Sequence, residues 1–193
     1  MKNILFVASE GVPFIKTGGL ADVVGSLPKC VDKRYFDVRV MLPKYTCIPQ
    51  EWKDKMEFKT SFYMDFNWKN EYVGILEAKV EGVIYYFIDN ESMFGGFRPY
   101  SNNVYDDIVK FMFFSKAALS AMPLLGFRPD VIHCHDWQTG LVPVYLRERF
   151  QGTPFYQGIK SVMTIHNLKF QGVWDIETMK GLSGMPDWLF TDD

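Results

Sequence analysis

The sequence lacks the features that mark several classes of protein. Its three cysteines form no C-x-x-C pair, so a disulfide framework is disfavoured and reduced intracellular thiols are expected. The net charge is −2, and no run of basic residues offers a surface for nucleic acid or an anionic membrane. No apolar stretch approaches the ~20 residues of a membrane span, and the first one is too short for a signal peptide. We therefore expect a cytoplasmic protein.

The first quarter of the chain has the pattern of a β-α-β unit. With 193 residues, 48 % of them apolar, the chain is long enough for one substantial core. The continuous apolar run Asn3–Ser9 is typical of a strand buried on both faces of a parallel sheet. Apolar residues then recur with the helical spacing of a buried face over Gly19–Val31, at Leu20, Val23, Val24 and Leu27, and Pro28 must kink or shorten the helix. A second strand is predicted over Asp37–Pro43, which gives the opening of a Rossmann-like fold.

Three segments in the middle of the chain predict antiparallel strands. They cover residues 56–66, 71–80 and 83–89, and Glu81-Gly82 separates the last two. We expect a hairpin or meander inserted beside the parallel sheet.

The rest of the chain returns to alternating helices and strands. The predicted segments are a Gly/Pro/Asn-rich loop over Glu91–Asn103, a helix over Tyr105–Leu125, a strand over Asp130–His135, a helix over Thr139–Phe150 with Pro143 in its first turn, a strand over Lys160–His166, and a tail of loop and short helix. The fold class is therefore α/β, in a single domain over residues 1–193 with a Rossmann-like parallel sheet.

Polar clusters follow three of the predicted parallel strands. They are Lys16-Thr17-Gly18-Gly19, His135-Asp136-Trp137 and His166-Asn167. Because the carboxyl ends of parallel strands meet at one edge of a sheet, where ligands bind in open α/β folds, we expect one site at this edge.

The glycine cluster has the chemistry of an anion site. Gly18 and Gly19 let the backbone approach a ligand, the following helix offers free N–H groups, and Lys16 adds a positive charge. Neither a Walker A loop nor G-x-G-x-x-G is present, so a tight turn with a solvated lysine is the alternative. Asp22 has apolar neighbours and is expected to be buried, as a partner of the helix dipole or an acceptor for a sugar hydroxyl.

The two histidines of "HCHDW" raise the question of a metal. Alternation along a strand puts His133 and His135 on one side and Cys134 on the other. No further cluster completes a tetrahedral set, so a structural role is favoured over zinc.

The residues beyond these strands fit a carbohydrate site. A carboxylate such as Asp136 accepts hydrogen bonds from hydroxyls, and an indole such as Trp137 covers the C–H faces of a sugar. His166 and Asn167 either bind a substrate or terminate the strand.

Five motifs together resemble the N-terminal half of bacterial glycogen synthases and plant starch synthases. They are "KTGGLADVVGSLPK" (16–29), "RVMLPKY" (39–45), "YYFIDN" (85–90), "PDVIHCHDWQTGLVPVYL" (129–146) and "TIHNLKFQG" (164–172). The resemblance covers nearly the whole chain in the same order. It implies the N-terminal, acceptor-side domain of a GT-B glycosyltransferase, with the C-terminal nucleotide-sugar domain lying outside this sequence.

The resemblance also implies a reaction. Such enzymes move glucose from ADP-glucose to the non-reducing 4-OH of an α-1,4-glucan with retention, without a cofactor. ADP-glucose and glycogen or a maltooligosaccharide are therefore the expected partners, and these 193 residues alone are expected to be inactive.

The residues matching the family's functional positions divide by role. The resemblance implies catalytic roles for His166 and Asp136, donor binding by Lys16, Gly18, Gly19 and Asn167, acceptor or sugar binding by Asp22, Trp137 and Tyr100, and no metal. Tyr105 competes with Tyr100 for its position, and Lys110 stands where the family more often has arginine, which keeps the charge but not the bidentate fork.

Two other functions stay open at this point. A non-catalytic glucan-binding module would use the same aromatic and carboxylate groups without transfer. An unrelated flavodoxin-like nucleotide binder would share only the α/β pattern. A glycosidase is disfavoured, because neither a Ser-His-Asp arrangement nor a paired-carboxylate signature is present.

Overall fold

The computed structural model describes residues 1–191, in which seven strands form one sheet in the order β3-β4-β5-β2-β1-β6-β7. The strands are β1 (Lys2–Val7), β2 (Phe36–Pro43), β3 (Glu57–Phe66), β4 (Lys69–Val80), β5 (Val83–Asp89), β6 (Val131–His135) and β7 (Lys160–Thr164). The α-helices are α1 (Gly19–Cys30), α2 (Gln50–Lys53), α3 (Glu91–Phe94), α4 (Val104–Ala121), α5 (Leu141–Tyr145) and α6 (Ile176–Ser183).

The five parallel strands have the order of a Rossmann half. Read across the sheet, β5-β2-β1-β6-β7 corresponds to 3-2-1-4-5 when these strands alone are numbered along the chain. The direction of the winding reverses between β1 and β6, which makes this the topological switch point. Val7 lies opposite Cys134 and Cys134 opposite Met163, so β1, β6 and β7 end at about the same level. The predicted Rossmann-like sheet is confirmed.

The antiparallel strands extend this sheet at one side. β3 pairs with β4 and β4 with β5, both antiparallel, while β5 pairs in parallel with β2. Two-residue turns at Asn67-Trp68 and Glu81-Gly82 join them, and all four residues have positive φ, as type I′ hairpin turns require. The predicted meander is confirmed, and it is continuous with the parallel strands.

Helix α1 packs through a face that only partly matches the predicted one, since Leu20 and Val24 are buried as expected. Its buried residues are Leu20, Ala21, Val24, Gly25 and Pro28. Val23 and Leu27, expected on the buried face, are 37 % and 41 % exposed. Small residues explain the rotation, because Gly25 lies against the Val12 carbonyl, where a Cβ would come within 2.5 Å of the oxygen. The helix continues through Pro28 and ends at Cys30, one residue before the predicted end.

Helix α4 is the central core helix. Ile108, Phe111 and Phe114 are among its twelve buried residues, and Asn103 caps its start by accepting from the Tyr105 N–H. The segment Val104–Leu125 has 22 residues and contains an 18-residue window with a mean hydropathy of 1.5, enough by length and composition to cross a membrane. The expectation that no stretch approaches a span was therefore wrong by that measure. In the fold, 67 % of its apolar window is buried, as in the core helix of a globular domain.

Two predicted segments differ from the structure. The expected helix over residues 139–150 is divided into a 3₁₀ turn (Trp137–Thr139), α5, and a π-helical turn (Leu146–Phe150) in which the Gln151 N–H bonds to the Leu146 carbonyl at 2.8 Å. The loop expected from Glu91 opens with the helical turn α3, because the Asn90 side chain accepts from the Met93 N–H and caps it.

Candidate functional site

Loops from the switch point line one large cleft. It has a volume of about 1070 Å³ and lies beyond the ends of β1, β6 and β7. Seven of the nine predicted site residues line it: Gly18, Gly19, Tyr100, Asp136, Trp137, His166 and Asn167. The expectation that three separate loops meet at one sheet edge is confirmed.

The other two predicted residues, Lys16 and Asp22, lie outside the cleft lining and pair with each other. The Lys16 Nζ atom is 2.7 Å from Asp22 Oδ1, and each side chain is about half exposed. The expectation that Asp22 is buried is wrong, because the helix turns its smaller residues inward and leaves position 22 facing solvent.

Sequence reasoning missed Glu10, a buried carboxylate in the cleft. Glu10 is 3 % exposed, and its Oε2 atom accepts from the Thr17 N–H at 2.5 Å. Burial raises the pKa of Glu10, while hydrogen bonds from Thr17 and the Gly18 N–H act in the opposite direction. The one available signal was its place directly after a buried strand, at the edge where ligands bind. Glu10 therefore holds the glycine loop in place.

The backbone N–H groups at the start of α1 form a candidate site for an anion. The Gly18 N–H faces Glu10, whereas α1 begins at Gly19 with no side-chain cap. A Cβ built at Gly19 would meet nothing within 4 Å, so the backbone there is open to the cleft. Free N–H groups and the positive end of the helix dipole favour an anionic ligand at this point.

Asp136 joins the β6 loop to the β7 loop. Its Oδ1 atom accepts from the His166 N–H at 2.6 Å and from the Asn167 N–H at 3.4 Å. The residue is 8 % exposed, and its backbone has φ 57° and ψ 178°, a region that only glycine adopts readily. Strained backbone of this kind persists where surrounding structure fixes it, and it is typical of functional sites.

Trp137 is packed tightly within the lining. Its ring meets Phe111 edge-on, with centroids 5.6 Å apart. Gly172, at φ 61°, lies against the indole so closely that a Cβ would come within 2.1 Å of it. The ring is therefore covered on this side and contributes the remaining surface to the cleft.

The geometry distinguishes Tyr100 from Tyr105. The Tyr100 hydroxyl is 2.8 Å from Ser9 Oγ, and the ring lines the cleft, where burial raises the pKa of its hydroxyl. Tyr105 instead packs on Trp174 and is not part of the lining. Lys110 is buried below the cleft and donates to Asp107 Oδ1 and the Pro99 carbonyl at 2.9 and 2.8 Å.

The three histidines of the chain form a column, which we call the histidine stack: His133, His135 and His166. His133 and His135 stack with centroids 4.2 Å apart, which confirms that they share one side of β6. His135 Nδ1 is 2.9 Å from His166 Nε2, and His133 Nε2 is 2.7 Å from Thr164 Oγ1. Burial lowers the pKa of His135 to about 3, so its ring is neutral. Among residues 1–191 no three His, Cys, Asp or Glu side chains are grouped to hold a metal.

Comparison with known proteins gives a consistent set of relatives. A family model described as the starch synthase catalytic domain matches residues 3–193. The chain is 66 % identical over all 193 residues to a glycogen synthase of Lachnospira eligens and 61 % identical to one of Lachnoclostridium phytofermentans. In both cases it spans 40 % of the relative's length, so it corresponds to about two fifths of these proteins.

A solved structure shares the fold. The catalytic domain of starch synthase IV from Arabidopsis thaliana, bound to ADP and acarbose, superposes with a TM-score of 0.82 at 31 % identity. The match covers 97 % of this chain and 38 % of the plant chain.

Proposed function

The chain belongs to the starch synthase catalytic domain family, and we propose that it forms the acceptor-side part of a retaining glucosyltransferase. The proposed reaction moves glucose from ADP-glucose to the non-reducing end of an α-1,4-glucan. The observation that carries the proposal is the cleft at the switch point, which gathers seven predicted site residues from different loops. The Arabidopsis neighbour was solved with ADP and acarbose bound, and ADP is the nucleotide that the proposed donor would carry.

The donor diphosphate would bind at the start of α1. The open backbone at Gly19 and the helix dipole favour a phosphate, and Lys16 lies two residues before the cleft-lining Gly18. Its partner Asp22 is half exposed, and exposed ion pairs contribute at most about 1 kcal/mol. A diphosphate can therefore compete for the ammonium group. Positive charge here stabilises the charge that develops on the leaving ADP.

The transferred glucose would lie against the β6 and β7 loops. Asn167 and the His166 ring offer polar atoms to sugar hydroxyls, and Asp136 fixes both residues through their backbone N–H groups. Glu10 and Asp136 are both carboxylates in the cleft, yet each accepts backbone N–H bonds that hold a loop. This favours transfer with same-face attack over the acid and base pair of a glycosidase.

Catalysis is proposed to require groups beyond this part of the relatives' sequence. The remaining three fifths of the relatives would supply the second wall of the cleft and the nucleotide pocket. A half-site binds weakly, because association costs are not offset by the second set of contacts. Purified residues 1–193 should therefore incorporate no label from ADP-[¹⁴C]glucose into glycogen. Incorporation would show that this part holds all the catalytic groups.

The role of Lys16 is tested in a protein that includes the whole cleft. Lys16→Ala should lower kcat by ~10²-fold or more, since one charged contact to the leaving phosphate is lost. Lys79→Ala, at an exposed position of β4 away from the cleft, is the matched control and should leave kcat unchanged. Equal turnover in both variants would reduce Lys16 to a surface charge. If glucan binding persists while wild-type protein transfers no glucose, the glucan-binding module is the better description.

A further inference from the structure

His135 occupies a position from which it controls the chemistry of another residue. It is fully buried between β1 and β7, with Phe6 packed on its ring at a centroid distance of 4.9 Å. It lines no part of the cleft, whereas its hydrogen-bond partner His166 does. Any effect of His135 on a bound ligand must therefore pass through His166.

The hydrogen bond between the two rings admits two arrangements. One ring nitrogen must donate and the other accept, because a neutral imidazole carries a single N–H. Either His135 donates from Nδ1 to His166 Nε2, or His166 donates from Nε2 to His135 Nδ1. The neutral state of His135 is independently favoured by its burial and by the two neighbouring histidines, which lower its pKa.

The surroundings of His135 Nε2 decide which of these two arrangements is present. His135 Nε2 is buried and has no hydrogen-bond partner among residues 1–191. If His166 were the donor, the proton of His135 would sit on this Nε2 as a buried N–H without an acceptor, a group that folded proteins rarely tolerate. If His135 donates from Nδ1, its Nε2 carries no proton and no N–H is left unpaired. Donation from His135 is therefore the preferred arrangement.

We propose that His135 is a positioning residue that fixes His166 in the Nδ1–H tautomer. His166 Nε2 is then occupied as an acceptor, and the proton of the His166 ring lies on the other nitrogen, Nδ1, of a residue that lines the cleft. Resting on the proposed function, this makes His166 a neutral hydrogen-bond donor to a sugar hydroxyl.

The other member of the histidine stack does not share this role. His133 directs its Nε2 atom to Thr164 Oγ1, and its contact with His135 is stacking of the rings. The proposed positioning therefore involves only the hydrogen bond between His135 and His166.

The tautomers can be read directly by NMR on residues 1–193 labelled with ¹⁵N-histidine. The chain contains three histidines, so long-range ¹H–¹⁵N correlations give three ring systems, assigned with a His133→Gln variant. We expect Nδ1 protonated and Nε2 unprotonated in both His135 and His166 at neutral pH. A protonated Nε2 in His166 would overturn the proposal.

Two substitutions test whether His135 is the cause. His135→Asn places an amide N–H close to the position of Nδ1 and should keep His166 in the Nδ1–H form. His135→Leu removes the donor and should return His166 to the tautomer ratio of free histidine. An unchanged His166 in a folded Leu variant, or an Nε2–H in the Asn variant, would contradict the assignment.

These outcomes are separate from those of the transferase proposal. The spectra concern this chain without substrate, so an error in the proposed reaction leaves the expected tautomers unaltered. Conversely, an Nε2–H on His166 would exclude the positioning role of His135, but it would leave the transferase proposal to be tested by ADP-glucose turnover in a longer protein.

Discussion

At the scale of single residues, Asp136 combines a strained backbone with a side chain that holds two loops together. Its φ of 57° with ψ near 180° is costly for any residue with a Cβ, by about 1–3 kcal/mol. The carboxylate offsets part of this by accepting from the N–H groups of His166 and Asn167. The strained backbone therefore sets the position of the carboxylate, and the carboxylate holds His166 and Asn167 in the cleft.

This strain predicts an inverted order of stability at position 136. Both Asp136→Ala and Asp136→Gly lose the carboxylate, but only glycine adopts this backbone without strain, so the Gly variant should be more stable by about 1 kcal/mol. Urea unfolding of the two variants measures the difference. At Asp106, an exposed position in the first turn of α4, the order should be the ordinary one, with Ala more stable than Gly. An Ala variant more stable than Gly at position 136 would contradict the strain.

Glu10 predicts a pH dependence of stability with a definite sign. Burial raises its pKa in the folded state above the ordinary value of 4.5, so between these two values the folded protein holds a proton that the unfolded chain has lost. Its contribution to stability therefore falls as pH rises through that window. Glu10→Gln lacks this loss and keeps an acceptor for the Thr17 N–H. Its stability relative to wild type should increase from pH 4 to pH 7 in urea titrations; a constant difference would show that Glu10 does not titrate in this range.

His135 predicts the opposite sign. Its pKa in the folded protein is about 3, against 6.5 when unfolded, so below pH 6.5 the unfolded chain binds a proton that the folded chain does not. Stability is lost at about 1.4 kcal/mol per pH unit, or about 2 kcal/mol by pH 5. His135→Asn should remove this component. Unfolding free energies at pH 7, 6 and 5 should therefore fall less steeply for the variant, and parallel slopes would contradict the buried neutral ring.

The sequence identified the polar residues at strand ends but not how each one is used. The positions of Asp136 and His166 could be predicted from the apolar runs that precede them, because ligands bind at the carboxyl ends of buried parallel strands. The burial of Glu10 could not be predicted, because it depends on the fold of the loop up to Thr17. The Glu10 carboxylate accepts a hydrogen bond from the N–H of Thr17. The exposure of Asp22 depends on the rotation of α1, which local composition does not determine.

At the scale of the elements, α1 uses two glycines for different purposes. A Cβ at Gly25 would lie 2.3 Å from a Val12 methyl and 2.5 Å from the Val12 carbonyl oxygen. Gly25 therefore allows the helix to approach the loop after β1. Gly19 has open space around its Cα and instead keeps the backbone accessible to a ligand.

Alanine substitution should separate these roles. Gly25→Ala forces backbone apart and should destabilise the protein by about 1–3 kcal/mol. Gly19→Ala adds a methyl group without a clash at a helical position and should be neutral or stabilising by up to about 1 kcal/mol. If the proposed donor site is correct, this substitution should also weaken binding of ADP. Thermal unfolding and isothermal titration with ADP on the longer protein measure the two effects. A destabilised Gly19→Ala variant with unaltered ADP binding would reverse the assignment.

Element boundaries were predictable where a periodic pattern met a clear stop. The strands and α4 follow from apolar runs and spacing, and they agree with the structure to within a few residues. The helix after β6 was not predictable in detail. Pro143 and the π turn before Gln151 break the backbone pattern without interrupting the apolar spacing on which the prediction depended.

At the scale of the whole molecule, the order of the strands creates the site. Placing β1 in the centre, with β2 to one side and β6 to the other, separates the two following loops and opens the crevice between them. Strand type could be read from composition, but strand order could not, because it depends on where each crossover helix packs. The resemblance to a known family supplied what the residue pattern left open.

The same strand order divides the sheet by distance along the chain. β3, β4 and β5 are neighbours in sequence and are joined by two-residue turns, whereas Ile4 of β1 pairs with Val131 of β6. Bringing together segments more than a hundred residues apart carries a larger loop-closure cost, so the meander should form early and the β1-β6-β7 edge late in folding.

β7 pairs only with β6 among residues 1–191 and is largely exposed. Its amide hydrogens should therefore exchange with deuterium faster than those of β4 and β5, and slower exchange in β7 would contradict this expectation. The binding edge would then be the region most stabilised by whatever ligand occupies it, and protection of β6 and β7 against exchange could serve to screen for that ligand without an activity assay.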